Sequence, residues 1–150
     1  MWYNFPYFEI SPVNHGAAFP TLNSILRPAL KVALRSSSVR YSLLATVDSG
    51  ADFCLFPLFL VDHLGLNIDE AKLIPNISGY GSDGGEDVPF WSLTMEIENG
   101  PSLSTMVGFS ARQKDFGLLG QRGFFSEFEQ INFSHRGQCF SIKAAEPANP

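Results

Sequence analysis

Cysteine is nearly absent from this chain. Cys54 and Cys139 are the only two, too few for a disulfide framework and set too far from each other and from histidine to give a zinc-ligand spacing, so reduced, buried thiols are expected. Charge is also scarce: Asp, Glu, Lys and Arg make up 17% of the residues, below the usual quarter, which argues against a charged, disordered chain. The 10 basic and 15 acidic residues leave a net charge of -5, without the positive field that holds phosphate backbones, so no nucleic acid partner is expected. No uninterrupted apolar run approaches the roughly 18 residues of a membrane-spanning helix. Met1-Trp2-Tyr3-Asn4-Phe5-Pro6 lacks the basic stretch and apolar core of a secretory leader, and a soluble cytoplasmic protein with no membrane partner is the expectation. His15, His63 and His135 share no ligand spacing, so neither a metal nor a cofactor is expected. No repeat with a period of 20 to 50 residues is present.

What the sequence does have is aromatic and aliphatic bulk. The hydrophobic class reaches 45% of 150 residues, with 14 Phe, enough for one domain that buries roughly 70% of its unfolded surface. Leu30, Val32 and Leu34 alternate with Lys31, Ala33 and Arg35, and after Ser36-Ser37-Ser38 a second strand becomes continuously apolar at Leu43-Leu44-Ala45, as for a strand covered on both faces. Pro57 and Gly65 bracket Leu60, Val61 and Leu64 as a short helix. A polar, glycine-rich stretch at 78–86 precedes the alternating Trp91, Leu93, Met95 and Ile97, which reads as a long hairpin with a mobile tip. Residues 104–110 and 116–119 read as strands, and Phe124, Phe125 and Phe128 as a helical stripe beginning just past Gly120. A last hairpin turns around Arg136-Gly137. The predicted class is all-β with one or two short helices.

The chemistry centres on Asp48-Ser49-Gly50. Asp, Ser and Gly are common turn formers, but this turn is clamped between Leu43-Leu44-Ala45-Thr46-Val47 and Phe53-Cys54-Leu55-Phe56. A carboxylate at the end of an apolar strand is costly unless it has a partner or a task. Gly79-Tyr80-Gly81-Ser82-Asp83-Gly84 also satisfies the dinucleotide pattern G-x-G-x-x-G. That pattern needs a strand leading in and a helix leading out, and the residues signal neither, so the glycines read as a bending hairpin tip.

Taken in order, these segments resemble the retropepsin-like aspartic proteases, single-domain relatives of the retroviral enzymes. Residues 27–34 resemble the opening strand, Ala45-Thr46-Val47-Asp48-Ser49-Gly50-Ala51 the active-site loop, residues 79–88 the flap, and Gly117-Leu118-Leu119-Gly120 with residues 121–125 the hydrophobic-hydrophobic-Gly segment and following helix. The resemblance implies a closed acid-protease β-barrel with one lobe per chain, at residues 27–143, preceded by an arm at 1–26; the tail at 144–150, by composition, has nothing large to bury and is expected to be disordered. It implies that Asp48 is catalytic, that Ser49 bonds across a dimer beneath the aspartates, and that Gly50 and Ala51 complete the loop. Asp52, Gly79, Tyr80, Gly81 and Ser82 would bind substrate.

Peptide hydrolysis by carboxylates needs one group to accept a proton and another to give one. A single D-S-G supplies half of that pair: Asp83-Gly84 lacks an apolar strand before it and Asp115-Phe116-Gly117 lacks the hydroxyl residue. The expected enzyme is therefore a homodimer acting on a peptide or unfolded protein, and the resemblance implies that the aromatic arm at Trp2, Tyr3, Phe5, Tyr7 and Phe8 is a dimer contact. Gln121-Arg122 follows Gly120 where the retroviral enzymes usually have Arg at once, which leaves open whether Arg122 makes the equivalent ion pair. Asp83, Glu86 and Asp87 make the flap acidic, against acidic substrates. The competing expectation is a dimeric peptide-binding module on the same fold, without catalysis.

Overall fold

The computed structural model describes residues 1–10, 16–79 and 84–146. Over these the chain runs through β1 (Trp2–Pro6), β2 (Phe8–Ile10), β3 (Ile25–Arg27), β4 (Ala29–Ser36), β5 (Val39–Val47), β6 (Leu55–Pro57), the short helix α1 (Leu60–His63), β7 (Lys72–Ile77), β8 (Glu86–Ile97), β9 (Ser102–Ser110), β10 (Gly117–Leu119), β11 (Phe128–Ser134) and β12 (Cys139–Ala144). Six strands close a ring in the order β4, β5, β10, β6, β9, β8, with β8 returning to β4. The all-β closed barrel expected from the sequence is the architecture found. Closure leaves these strands no open edge along the paired stretches. The long β8 divides one edge between two partners: Thr94–Ile97 face β4, whereas the Glu86 to Phe90 half faces β7, which therefore projects beyond the ring.

The core fills by alternation. Leu30, Val32 and Leu34 of β4 point inward against Trp91, Leu93, Met95 and Ile97 of β8, while Lys31 and Arg35 stay in water. Ala33, on the outward face, is buried as well, because it is small and flanked by Ser42 and Glu96 on the neighbouring strands. On β5, Ala45 and Val47 are buried, but Leu43, Leu44 and Thr46 are only half covered. The second face of that strand is covered less than its continuous apolar run predicts. Leu44 there lies in a shallow groove shared with Phe5, Tyr7 and Phe8 of the N-terminal arm.

Two helix boundaries differ from expectation. Pro57 does not open α1; it ends β6, because Leu55, Phe56 and Pro57 pair in parallel with Gly108, Phe109 and Ser110. β10 pairs with β6 only at Leu55, so at Pro57 the strand is paired on one side alone, an edge position where proline's missing donor is tolerated. Gly65 does stop the helix, at φ +63, its N–H donating to Asp62 O. The Phe124, Phe125, Phe128 stripe forms no α-helix: Phe125–Glu127 is a single 3-10 turn and Phe128 already begins β11. The spacing that mimics a helix instead gathers rings, with Phe124 lying 5.1 Å from Phe128 and 5.7 Å from Phe125 between centroids. β7 is a further strand that the sequence pattern conceals, since Pro75 and Asn76, the latter at φ +58, interrupt its alternation. A strand, not a helix, follows the glycine-rich segment, so the dinucleotide pattern is unmet.

The arm pairs within its own chain. β1 joins β12 antiparallel, Phe5 opposite Phe140 with rings 5.3 Å apart, in the order β1, β12, β11, so that β1 is an edge strand. β2 pairs with β3. Residues 144–146 of the tail are described, with Ala144 ending β12; residues 147–150 lie outside the described residues.

One crossing fixes the barrel's end. β10 runs parallel to β5, and the chain leaving each continues beside the other: Asp48 N–H donates to Leu119 O (3.0 Å), Gln121 N–H to Ala51 O (2.8 Å) and Arg122 N–H to Asp52 O (2.9 Å). Gly120 sits in the crossing, where a Cβ would overlap Phe53 O and stand 2.7 Å from Ala51 O. Gly120→Ala is therefore expected to lower stability by about 3 kcal/mol or more, since the obstacle is backbone, read as a fall in Tm of the purified protein. Cys54 lies under the same loop with no exposed surface. Burial pushes its thiol up to about 11, with a smaller opposing effect from a Gly120 backbone hydrogen bond. Because the unfolded thiol ionises first, this contribution is whole below pH 9 and is lost as pH rises through 11, a change of about 2–3 kcal/mol. Urea melts across that range should show the loss in the wild type and not in Cys54→Ala.

Candidate active site

β5 ends at Val47 and delivers Asp48 half-buried at the barrel's end. The next three residues turn tightly: Ala51 N–H donates to Asp48 O (3.2 Å), and Gly50 N–H donates to Asp48 Oδ1 (2.9 Å). A backbone donor on a carboxylate oxygen fixes its orientation. A Cβ at position 50 would stand 3.2 Å from the same Oδ1, a tight contact that would press on the carboxylate. Ser49 is exposed, and its carbonyl oxygen accepts from Gln121 Nε2 at 2.7 Å.

Asp48 opens onto a cleft of about 480 Å³. Asp48, Gly50, Ala51, Asp52, Phe53, Leu55 and Leu118 line it on the barrel side, and Ile77, Ser78, Gly79 and Glu86 line it from the base of the β7–β8 hairpin. Of the residues singled out in the sequence, Asp48, Gly50, Ala51, Asp52 and Gly79 thus share one cavity. Ser49 is not among its walls. Tyr80, Gly81 and Ser82 lie outside the described residues. The carboxylate of Asp52 is exposed and takes part in no hydrogen bond or ion pair among the described residues.

The third wall of the cleft is one that sequence reasoning missed. Ser110, the last residue of β9, lines it together with Arg112 and Gln113 just beyond. Ser110 Oγ donates to Glu86 Oε2 (2.6 Å), Ala111 N–H to Glu86 Oε1 (2.8 Å) and Arg112 N–H to Ser110 Oγ (3.1 Å). The Arg112 guanidinium reaches Gly84 O from both terminal nitrogens at 3.3 Å. Glu86, read from the sequence as a surface charge of the flap, is thus the anchor that ties the hairpin base to the barrel. Nothing local signals this: the partners stand 24 and 25 positions apart and are joined only when β8 and β9 pair.

A larger cavity of about 570 Å³ lies on the other side of Phe53, lined by Phe90, Met106, Lys72, Arg122 and Glu127 among others. It contains no loop carboxylate, and the chemistry therefore favours the smaller cleft. Arg122 lines that cavity and is in none of the ion pairs among the described residues, which are Arg35 and Arg40 with Glu96 and Lys143 with Glu129. The Arg35 and Arg40 pairs hold the Glu96 carboxyl below the usual range, through hydrogen bonds from Arg40 and then Arg35. No three His, Cys, Asp or Glu among the described residues are grouped to hold a metal.

No family profile matches this sequence, and no curated protein does. Among solved structures the chain is similar to a retropepsin-like aspartic protease from Rickettsia conorii, at 14% identity and a TM-score of 0.54, over 95% of this chain and 94% of that one. At that identity the likeness establishes a shared fold: this chain has the barrel of a retropepsin-like protease.

Proposed function

We propose that the chain is an aspartic endopeptidase that works as a homodimer, with Asp48 of each subunit meeting at a two-fold axis. The observation that carries this reading is the Asp48 carboxylate, held by Gly50 N–H on the floor of a cleft of about 480 Å³ in a retropepsin-like barrel. Hydrolysis of an amide by carboxylates requires a base and an acid together, and a second copy of the chain supplies the missing partner. Two carboxylates in contact hold one proton between them. The ionised one takes a proton from water, whose oxygen bonds to the scissile carbonyl carbon. The protonated one gives its proton to the amide nitrogen as the C–N bond breaks, and no covalent enzyme intermediate forms.

In this scheme the substrate is an extended peptide or unfolded protein lying as an added strand across the cleft. Asp52, whose carboxylate is unengaged among the described residues, faces substrate main chain, and Gly79, Tyr80, Gly81 and Ser82 bind the peptide. Ser49, exposed beside Asp48, bonds across the axis, and the outer edge of β1 adds to the dimer contact. Residues 27–143 carry the catalytic machinery in this division, and residues 1–26 the arm. The two free cysteines, Cys54 and Cys139, fit a reducing compartment such as the cytoplasm; among the described residues no helix is long and apolar enough to cross a membrane.

The test is digestion of a pool of unfolded polypeptides between about pH 4 and pH 7 by the wild type and by Asp48→Asn. The variant is expected to fold and dimerise while kcat falls by a factor of about 10² to 10⁴ or more. Specific activity of the wild type is expected to fall on dilution as dimers part. Equal cleavage by both proteins, or peptide binding without cleavage by the wild type, would overturn the reading, the latter in favour of a binding module.

A further inference from the structure

We propose that Gln121 is a positioning residue that acts on Asp48 through the peptide unit joining Ser49 to Gly50. The inference rests on the functional reading above and adds a residue to it. The carbonyl oxygen of Ser49 and the N–H of Gly50 belong to one planar group. Its oxygen end accepts from Gln121 Nε2 at 2.7 Å, and its nitrogen end donates to Asp48 Oδ1 at 2.9 Å. Gln121 therefore grips the plane from behind while the front of the plane presents a donor to the carboxylate. Only the amide NH2 of the side chain can meet a carbonyl oxygen, so the orientation of the Gln121 amide is settled by its partner.

Three features make this grip consequential. Gly50 has no Cβ, so the flanking dihedrals can rotate the plane over and withdraw the N–H from Asp48 at little steric cost. The same residue that bonds Ser49 O is anchored by its own main chain: Gln121 N–H donates to Ala51 O at 2.8 Å, and Gln121 O accepts from Ser126 N–H at 2.9 Å. The side chain thus reaches the loop from a fixed base. A donor on the carbonyl end also strengthens the N–H at the other end as a donor, since hydrogen bonds in series polarise one another. Gln121 is neutral, so it steadies the loop without setting a cation beside the carboxylate.

The experiment compares wild type with Gln121→Leu, which keeps bulk and loses the donor, and Gln121→Glu, which keeps shape and turns the donor into an acceptor. The first readout needs no catalysis: amide hydrogen exchange by NMR. The Gly50 amide is expected to exchange about tenfold faster in Gln121→Leu, while the amides of Leu93 and Met95 in the barrel keep their wild-type rates. In cleavage assays kcat is expected to fall about tenfold with KM little changed. For Gln121→Glu, activity relative to wild type is expected to recover as pH falls through about 4.3, where the neutral carboxylic acid can again donate to Ser49 O. A role confined to general stability would not produce that recovery. An unchanged Gly50 amide in both variants overturns the inference whatever the cleavage result. A faster Gly50 amide in a protein whose wild type cleaves nothing upholds the positioning and overturns the protease reading instead.

Discussion

The structure depends on a parallel pairing between two strands far apart in sequence, β5 and β10. Antiparallel hairpins could assemble most of the barrel from neighbours, as β4 does with β5 and β8 with β9. The short β10, only Gly117–Leu119, instead slots between β5 and β6 and closes the ring. It also carries the following segment directly beneath the loop that holds Asp48. Three backbone hydrogen bonds and the absence of a side chain at Gly120 let the two segments lie against each other. The loop is therefore held by the fold and not by its own turn propensity, which is why a short run of turn-forming residues can keep a carboxylate in one place.

That placement has an electrostatic consequence. Among the described residues the cleft gathers Asp48, Asp52 and Glu86 against a single cation, Arg112, whose guanidinium is engaged with Gly84 O. Glu86 is half-buried, and two donors satisfy it, so its cost of desolvation is offset by charge-assisted hydrogen bonds. Asp52 faces water instead. The charge lining the cleft is thus mostly negative, which opposes acidic ligands.

Much of this was legible in the sequence where local patterns decide it. The alternation of Leu30, Val32 and Leu34, the turn after Ser36, the Gly65 stop and the apolar run into Asp48 are read from neighbours, and the structure keeps them. The readings that failed turn on partners distant in sequence. Pro57 looks like a helix start until Phe109 and Ser110 claim it and its neighbours for a parallel pair. Phe124 and Phe128 look like a helical stripe because i, i+4 spacing serves a ring cluster as well as a helix. The site divides in the same way: the D-S-G-A loop is contiguous and readable, whereas Ser110, Arg112 and the Ser49 contact of Gln121, 72 positions away, exist only after the barrel has closed.

β7 is a spur on a closed circuit. Every strand of the ring is bonded along both sides, so separating any of them opens the barrel, whereas β7 touches only one half of one edge of β8. The hairpin arm and the ring therefore belong to different cooperative units. Removing β7 from β8 costs its few ladder bonds and leaves β4 still closing the circuit on the other half of that edge. The cleft accordingly has a floor whose rigidity is that of the closed ring and a side, at β7, whose stability is set locally.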